Sequence, residues 1–351
     1  MMHDVLIGIS SMNDFQENET YNDTSDYNGS LVFLCEDENQ HSGSTATAFC
    51  FIVIFCLSFA GNTVVLCVLA RYEKLKRVTN LFVLNLAMSD LIFSMSLPFW
   101  STYHFSQWVF GDFLCKLLSG AYFIGFCSSM MFLTAMTVDR YMIMVHNQFP
   151  LLKKRRLCAQ VTCVAIWIIS VSSSIKEMVI SSAKTDKCDY ITCESSTDPW
   201  MDKISNYILT LIFFLVPLTI IIYCYCRILK IVISSKNKNK HKTIILIFCI
   251  VVAFFVCLTP YNVVLVTMSE LQSSSSKLYH IFIFCRILAY FHCCLNPFLY
   301  AFTEKFRAQV SRLLCCAPLQ RRSISSRLSG AHSISNVIEK VIATNENIQL
   351  T

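Results

Sequence analysis

The chain has 351 residues, is 54% hydrophobic and carries charge on only 15% of its positions, against roughly 25% in an ordinary soluble domain. Its formal charge of +6 hides an asymmetry: residues 1–42 contain nine Asp/Glu and no Lys or Arg. This composition excludes a conventional soluble fold. The absence of a P-loop, a GxGxxG, a zinc spacing or a nucleophile–base set argues against an enzyme or a nucleic-acid binder.

Residues 1–42 are too polar to bury a core and read as an acidic tail. They lack the basic n-region and continuous apolar stretch of a cleavable signal peptide, so the first span is expected to act as its own insertion signal. Asn18, Asn22 and Asn28 each begin an Asn-x-Ser/Thr acceptor.

Beyond the tail, windows 39–70, 117–138, 157–175, 204–226 and 243–269 contain no charged residue. Windows 78–111 and 278–303 contain one each, Asp90 and Arg286. A bilayer core of ~30 Å takes about 20 apolar helical residues, so an all-α membrane protein with seven transmembrane helices is expected. The helices are placed at about 43–71, 78–104, 113–145, 156–180, 203–233, 241–269 and 277–302, which gives a bundle over 43–302.

Basic residues orient the bundle, because cytoplasmic loops collect them. "RYEKLKR" (71–77), "KKRR" (153–156), "SSKNKNKHK" (234–242) and the C-terminal segment hold most of the Lys/Arg, while none precedes Arg71. The N-terminus is therefore expected outside and the C-terminus inside. That topology leaves only Cys35, Cys115, Cys188 and Cys193 in an oxidising compartment, of 19 cysteines in all.

Residues 303–351 read as a cytoplasmic segment. "TEKFRAQVSRLLCC" spaces Phe306, Val310, Leu313 and Leu314 as an amphipathic helix on the inner leaflet. Cys315 and Cys316 there are candidates for palmitoylation. Ser323, Ser325, Ser326, Ser329, Ser333 and Ser335 are candidates for phosphorylation.

Ionisable and polar groups inside spans are costly and mark function. Asp90 in "LNLAMSDLIF" has Asn62, Asn85, Ser129, His292 and Asn296 as possible partners at comparable depth. An oxygen-lined pocket there would suit a sodium ion; no other cofactor or metal is expected. "TVDRYMIMV" sets Arg140 at the inner rim, 25 residues below Cys115 at the outer rim. Pro98, Pro217, Pro260 and Pro297 interrupt spans, each removing a backbone donor. Freed carbonyls are expected to find polar neighbours such as Asn296. With only Asp90 and Arg286 available to line an ion pathway, a transporter is the alternative from another class.

In order along the chain, "GN" (61–62), "LNLAMSD" (84–90), "DRY" (139–141), Trp167, Pro217, "TPYN" (259–262) and "NPFLY" (296–300) resemble rhodopsin-like G-protein-coupled receptors. "SLPFW" (96–100), "WVFGDFLCKL" (108–117), "HCCLNPFLYAF" (292–302) and the acidic tail resemble a chemokine receptor, with "CDY" (188–190) and "CRILAYFHCC" (285–294) similar to the lymphotactin (XC-type) branch.

The resemblance implies a plasma-membrane receptor that binds a basic chemokine and activates a heterotrimeric G protein of the inhibitory class, with arrestin and receptor kinases as further partners. It implies a disulfide from Cys115 to the second extracellular loop, with Cys188 as the expected partner and Cys193 as the alternative. It implies a sodium site at Asp90, Ser129 and His292, and a ligand pocket lined by Trp100, Tyr103, Lys116, Tyr122, Tyr261 and Arg286. The activation switch would use Asp139, Arg140, Tyr141, Tyr225, Leu258, Pro260, Asn296, Pro297 and Tyr300. Tyr21 and Tyr27, set among acids, are expected to be sulfated and to contact a basic ligand.

Three departures from the family pattern stand out. Leu258 occupies the place usual for Trp before Pro260. Arg286 stands where many relatives carry Glu. The third extracellular loop, "SELQSSSSKLYH" (269–280), lacks the cysteine that usually meets the N-terminal one. Cys35 is therefore expected to pair with Cys193. The remaining readings within the receptor class are a receptor for another peptide or a lipid attractant, and a scavenging chemokine receptor.

Overall fold

The computed structural model describes residues 38–72, 77–146, 152–185, 189–195, 198–234, 238–271, 276–301 and 306–313. Seven helical segments are long and apolar enough to cross a membrane: Thr45–Tyr72, Val78–Phe105, Gly111–Val145, Lys154–Ile180, Lys203–Ile231, Val251–Met268 and His280–Phe298. In hydrocarbon each backbone polar group must be satisfied within the protein, and a helix does this unaided. The outward faces are as apolar as any core: Phe49, Val161, Val164, Ile168, Val256 and Phe284 are all exposed. The polar side chains sit inside instead, with Asn62, Ser89, Asp90, Ser129, His292 and Asn296 buried. The third span is the axis of this arrangement, with 67% of its apolar window buried against 28% for the fourth.

The helices are α1 (Glu38–Tyr72), α2 (Val78–Met95), α3 (Leu97–Phe105), α4 (Gly111–Tyr141), α5 (Leu152–Ile180), α6 (Pro199–Thr210), α7 (Val216–Ser234), α8 (Lys238–Leu271), α9 (Ser276–Tyr290) and α10 (His292–Ala301). Prolines explain why three spans are broken. Pro98 stands at the start of α3, where a missing N–H costs nothing, and Ser96 Oγ caps the preceding turn by donating to Phe93 O at 2.7 Å. Pro217 follows a π-helical turn, Leu211–Leu215, which absorbs the register change in the fifth span. Pro297 cannot donate to the carbonyl four residues back, that of Cys293. That oxygen is taken by Asn62 Nδ2 at 3.0 Å and Ser58 Oγ at 3.4 Å, both from α1. The expected helper, Asn296, is engaged elsewhere. Pro260 lies inside α8, which is continuous through it.

Small residues set the closest approaches. A Cβ on Gly61 would stand 2.7 Å from Pro297 Cβ, and one on Gly125 would stand 2.7 Å from the backbone N of Phe93. These two glycines let the first span reach the seventh and the third reach the second.

The Cys115 end of the bundle carries a hairpin that the periodicity of the spans does not reveal. Strands β1 (Ser181–Thr185) and β2 (Ile191–Ser195) pair antiparallel, with Ala183 opposite Cys193. Asp189, at φ 61°, lies between the two strands. Cys193 is bonded to Cys115, with Cα atoms 5.7 Å apart, within the ordinary disulfide range. This corrects the expected Cys115–Cys188 bond and rules out Cys35–Cys193. The physical reason is register: Cys193 is the buried midpoint of β2, and the hairpin is held over the third span by Ala183 N donating to Asp112 Oδ1 at 3.0 Å. The preceding loop joins in, with Trp108 N donating to Ile191 O at 2.8 Å and Ile191 N to Gln107 Oε1 at 3.1 Å.

The chain divides into two compact units, one ending at Leu299 and one beginning at Tyr300. Within the second, residues 306–313 form the expected short helix, α11, with Phe306, Val310 and Leu313 half-buried and Arg307 and Arg312 exposed. Leu314, Cys35, Cys188, Cys315, Cys316, Tyr21, Tyr27, Asn18, Asn22, Asn28 and the six serines at 323–335 lie outside the described residues.

Candidate functional site

Buried polar and aromatic side chains form a chain of contacts through the bundle, and the seventh span supplies its backbone. Toward the end of the bundle that carries the hairpin, Arg286 is 4% exposed. Its Nη2 donates to Nε2 of His104 at 3.1 Å. A guanidinium has donors only, so His104 presents its lone pair at Nε2 and carries its proton on Nδ1. The Arg286 guanidinium also lies 5.6 Å from the ring centre of Phe51 and 5.8 Å from that of Phe282.

Around it the expected pocket residues gather. Tyr122 contacts Tyr290 at 5.5 Å between ring centres, and Tyr261 contacts Phe282 at 5.6 Å. Trp100 packs on Trp108 at 5.2 Å and on Tyr103 at 6.1 Å. Lys116 is placed differently: it pairs with Asp112 one turn back on the exposed outer end of α4. Sequence reasoning missed His104 and Phe51. His104 stands four residues after Trp100 and so shares its face of α3, a spacing legible in "WSTYH".

One turn inward, Phe93 contacts Tyr122, Tyr290 and His292, at 5.1, 5.4 and 4.9 Å between ring centres. His292 sits where α9 gives way to α10. Its Nδ1–H donates to Ala289 O at 2.6 Å, and its ring lies 4.9 Å from Phe254 of the sixth span. Leu258, fully buried, follows Phe254 by one turn. Asp90 is completely buried. Its two carboxylate oxygens accept from Ser129 Oγ at 2.9 Å and Asn296 Nδ2 at 2.7 Å. The structure thus brings together Asp90, Ser129 and Asn296. His292 turns its hydrogen bond to Ala289, and Asn85 binds Trp167 Nε1 at 2.9 Å. The Oδ1 atoms of Asn62 and Asn296 are buried without a donor, so this region is rich in oxygen acceptors, a set suited to a hard cation.

At the opposite end of the bundle, Arg155 of α5 grips Asp139 through two hydrogen bonds, Nε to Oδ1 at 2.9 Å and Nη2 to Oδ2 at 2.7 Å. Arg140 donates to Thr79 Oγ1. Tyr141 meets Tyr223, with ring centres 5.8 Å apart, and packs on buried Ile228 together with Met144 and Val145. Tyr225 contacts Phe248 at 5.2 Å between ring centres. Tyr300 belongs to the C-terminal unit, where its ring lies 6.3 Å from Phe306. Arg155 and Thr79 were not foreseen; "KKRR" reads only as a topological signal.

Residues 61–300 match the family described as 7 transmembrane receptor (rhodopsin family). Human Chemokine XC receptor 1 is 38% identical over 289 residues, covering 80% of this chain and 84% of its own. Human C-C chemokine receptor type 8 is 35% identical, covering 78% of this chain and 80% of its own. The chain belongs to the chemokine receptors of the rhodopsin family. G-protein coupled receptor E1 of Equine herpesvirus 2 (strain 86/87) is also similar, 35% identical over 81% of this receptor and 78% of its own length. The receptor is therefore a multi-pass protein of the plasma membrane and not an enzyme. Its "DRY" and "NPFLY" segments both fall inside the matched stretch.

Proposed function

We propose that the receptor binds a basic chemokine at its extracellular face and activates a heterotrimeric G protein of the inhibitory class. The observation that carries this reading is the continuity of buried contacts: Arg286, Tyr290, His292 and Asn296 lie on one broken helix that touches Phe254 of the sixth span and reaches Asp90. A ligand pressing on the outer end shifts His292 against Phe254, and the sixth span swings about Pro260. The inner rim then opens around Arg140. The ligand biases this equilibrium only by its differential affinity for the two states.

The other parts follow from that topology. The acidic tail, outside the cell, draws in a basic ligand, with Tyr21 and Tyr27 sulfated and Asn18, Asn22 and Asn28 as glycan sites. Cys315 and Cys316 anchor the cytoplasmic helix to the inner leaflet by palmitoylation. Receptor kinases phosphorylate the serines at 323–335, and the added charge recruits arrestin. Asp90, Ser129 and His292 form a sodium site in the resting state, with the unpartnered Oδ1 atoms of Asn296 and Asn62 as further acceptors nearby. In cells expressing the receptor, a chemokine panel read by cAMP inhibition and arrestin recruitment tests this reading. One chemokine is expected to drive both signals. Arrestin recruitment without a G-protein signal makes it a scavenger, and silence across the panel overturns the chemokine assignment.

A further inference from the structure

Arg286 is a permanent cation and is buried. Among the described residues no carboxylate lies within 4 Å of its guanidinium; Asp112, Asp139 and Glu177 pair with Lys116, Arg155 and Lys176 instead. Its one hydrogen-bond partner, the neutral His104 imidazole, brings no negative charge, and its Nε–H is buried without an acceptor. One turn from His104 on the same face of α3, the buried Trp100 Nε1–H also lacks an acceptor. Tyr103 lies in the field of both Arg286 and Glu194 of β2, and Glu194 makes no ion pair with Arg286. Among the described residues the cluster is therefore built with donors and a charge, and no carboxylate closes on that charge.

We propose that this cluster is an anion subsite, and that its occupant is a carboxylate on the segment of the protein ligand that enters the bundle, held by Arg286 with Trp100 Nε1 as a second donor. The proposal rests on the chemokine reading above. Together they describe a two-poled ligand: a basic body that meets the acidic tail, and an acidic tip that meets Arg286. The receptor's own tail is the weaker candidate on distance. Arg286 stacks on Phe51, and α1 begins at Glu38. Phe51 stands thirteen helical positions beyond Glu38, about 20 Å at 1.5 Å per residue, so the tail would have to double back along α1.

The test uses the full-length receptor in nanodiscs. Two phage libraries are selected on it: a basic chemokine scaffold with a randomised N-terminal segment, and free random heptapeptides. Enrichment of Asp or Glu on the intact receptor is expected, and it should disappear on Arg286→Gln and turn to Lys or Arg on Arg286→Glu. Acid-tipped binders should lose about tenfold to a hundredfold in affinity for Arg286→Gln, the span expected of a charge-assisted hydrogen bond. If only the free peptides bind but show the same Arg286-dependent enrichment, the subsite stands and the chemokine reading falls. Acidic enrichment that appears only after residues 1–42 are removed assigns the site to the receptor's own tail and overturns a ligand carboxylate. No enrichment, enrichment indifferent to Arg286, or no binder in either library also overturns it.

Discussion

Among the described residues two charged side chains, Asp90 and Arg286, are buried in this bundle, and the protein treats them oppositely. Asp90, at the middle, receives a hydrogen bond on each carboxylate oxygen from a different helix. Arg286, toward the outside, receives one neutral ring nitrogen and two aromatic faces, and keeps a donor unused. A buried polar group whose partners are built in belongs to the scaffold's own balance, whereas one left short of partners is reserved for something that arrives later. The same type of observation, an ionisable residue inside a span, therefore supports a conformational node in one place and a docking point in another.

Substitutions at the two positions should move stability in opposite directions. Asp90→Ala leaves Ser129 and Asn296 with unmatched donors and opens a cavity, so a loss of about 3 kcal/mol is expected, read as a lower Tm of the purified receptor. A Tm unchanged by this variant would mean that Asp90 is not the node described. Arg286→Met removes an uncompensated charge in favour of apolar volume, and a gain of about 1–3 kcal/mol is expected, together with loss of acid-tipped binders. A fall in Tm would show that Arg286 already has a counter-charge within the receptor.

The inner rim extends the comparison to a satisfied pair near the surface. Arg155→Ala frees Asp139, the residue that precedes Arg140 in the chain. Restraint of Arg140 should lower basal nucleotide exchange a few-fold, on the order of 1 kcal/mol for a partly exposed pair, and adding Asp139→Asn should restore it. Raised exchange in Arg155→Ala alone would reverse the assigned direction. The smallest effect belongs to the tail, where Tyr21→Phe with Tyr27→Phe should slow chemokine association about two- to fivefold at low salt. Equal association rates with the same salt dependence would remove the tail from capture.

Much of this was legible in the sequence because the bilayer imposes a coarse rule. Charge-free windows located the seven spans, and depth alone made Ser129 and Asn296 eligible partners for Asp90. Depth could not choose among the eligible. Asn85 faces Trp167, and His292 spends its donor on the turn at Ala289, facts of rotation rather than height. The disulfide was beyond reach for a similar reason. Cys188 and Cys193 are the same residue type on the same loop, and only the pairing of Ala183 with Cys193 in the hairpin decides between them. In "KKRR" the four charges look alike, and only the approach of α5 to the end of α4 singles out Arg155.

The break before Pro297 is a property of two helices. Gly61 leaves room for the proline ring, and Asn62, the next residue, takes the carbonyl that the ring leaves unbonded. Adjacent positions on α1 thus supply a steric vacancy and a hydrogen-bond donor for one bend more than 230 residues away in sequence. A larger side chain at 61 and the loss of the amide at 62 should each be harmful while the proline is present, and milder once it is replaced. Helical straightening of the seventh span is therefore a joint decision with the first, and a double-mutant cycle between Asn62 and Pro297 would measure how firmly the two are bound to it.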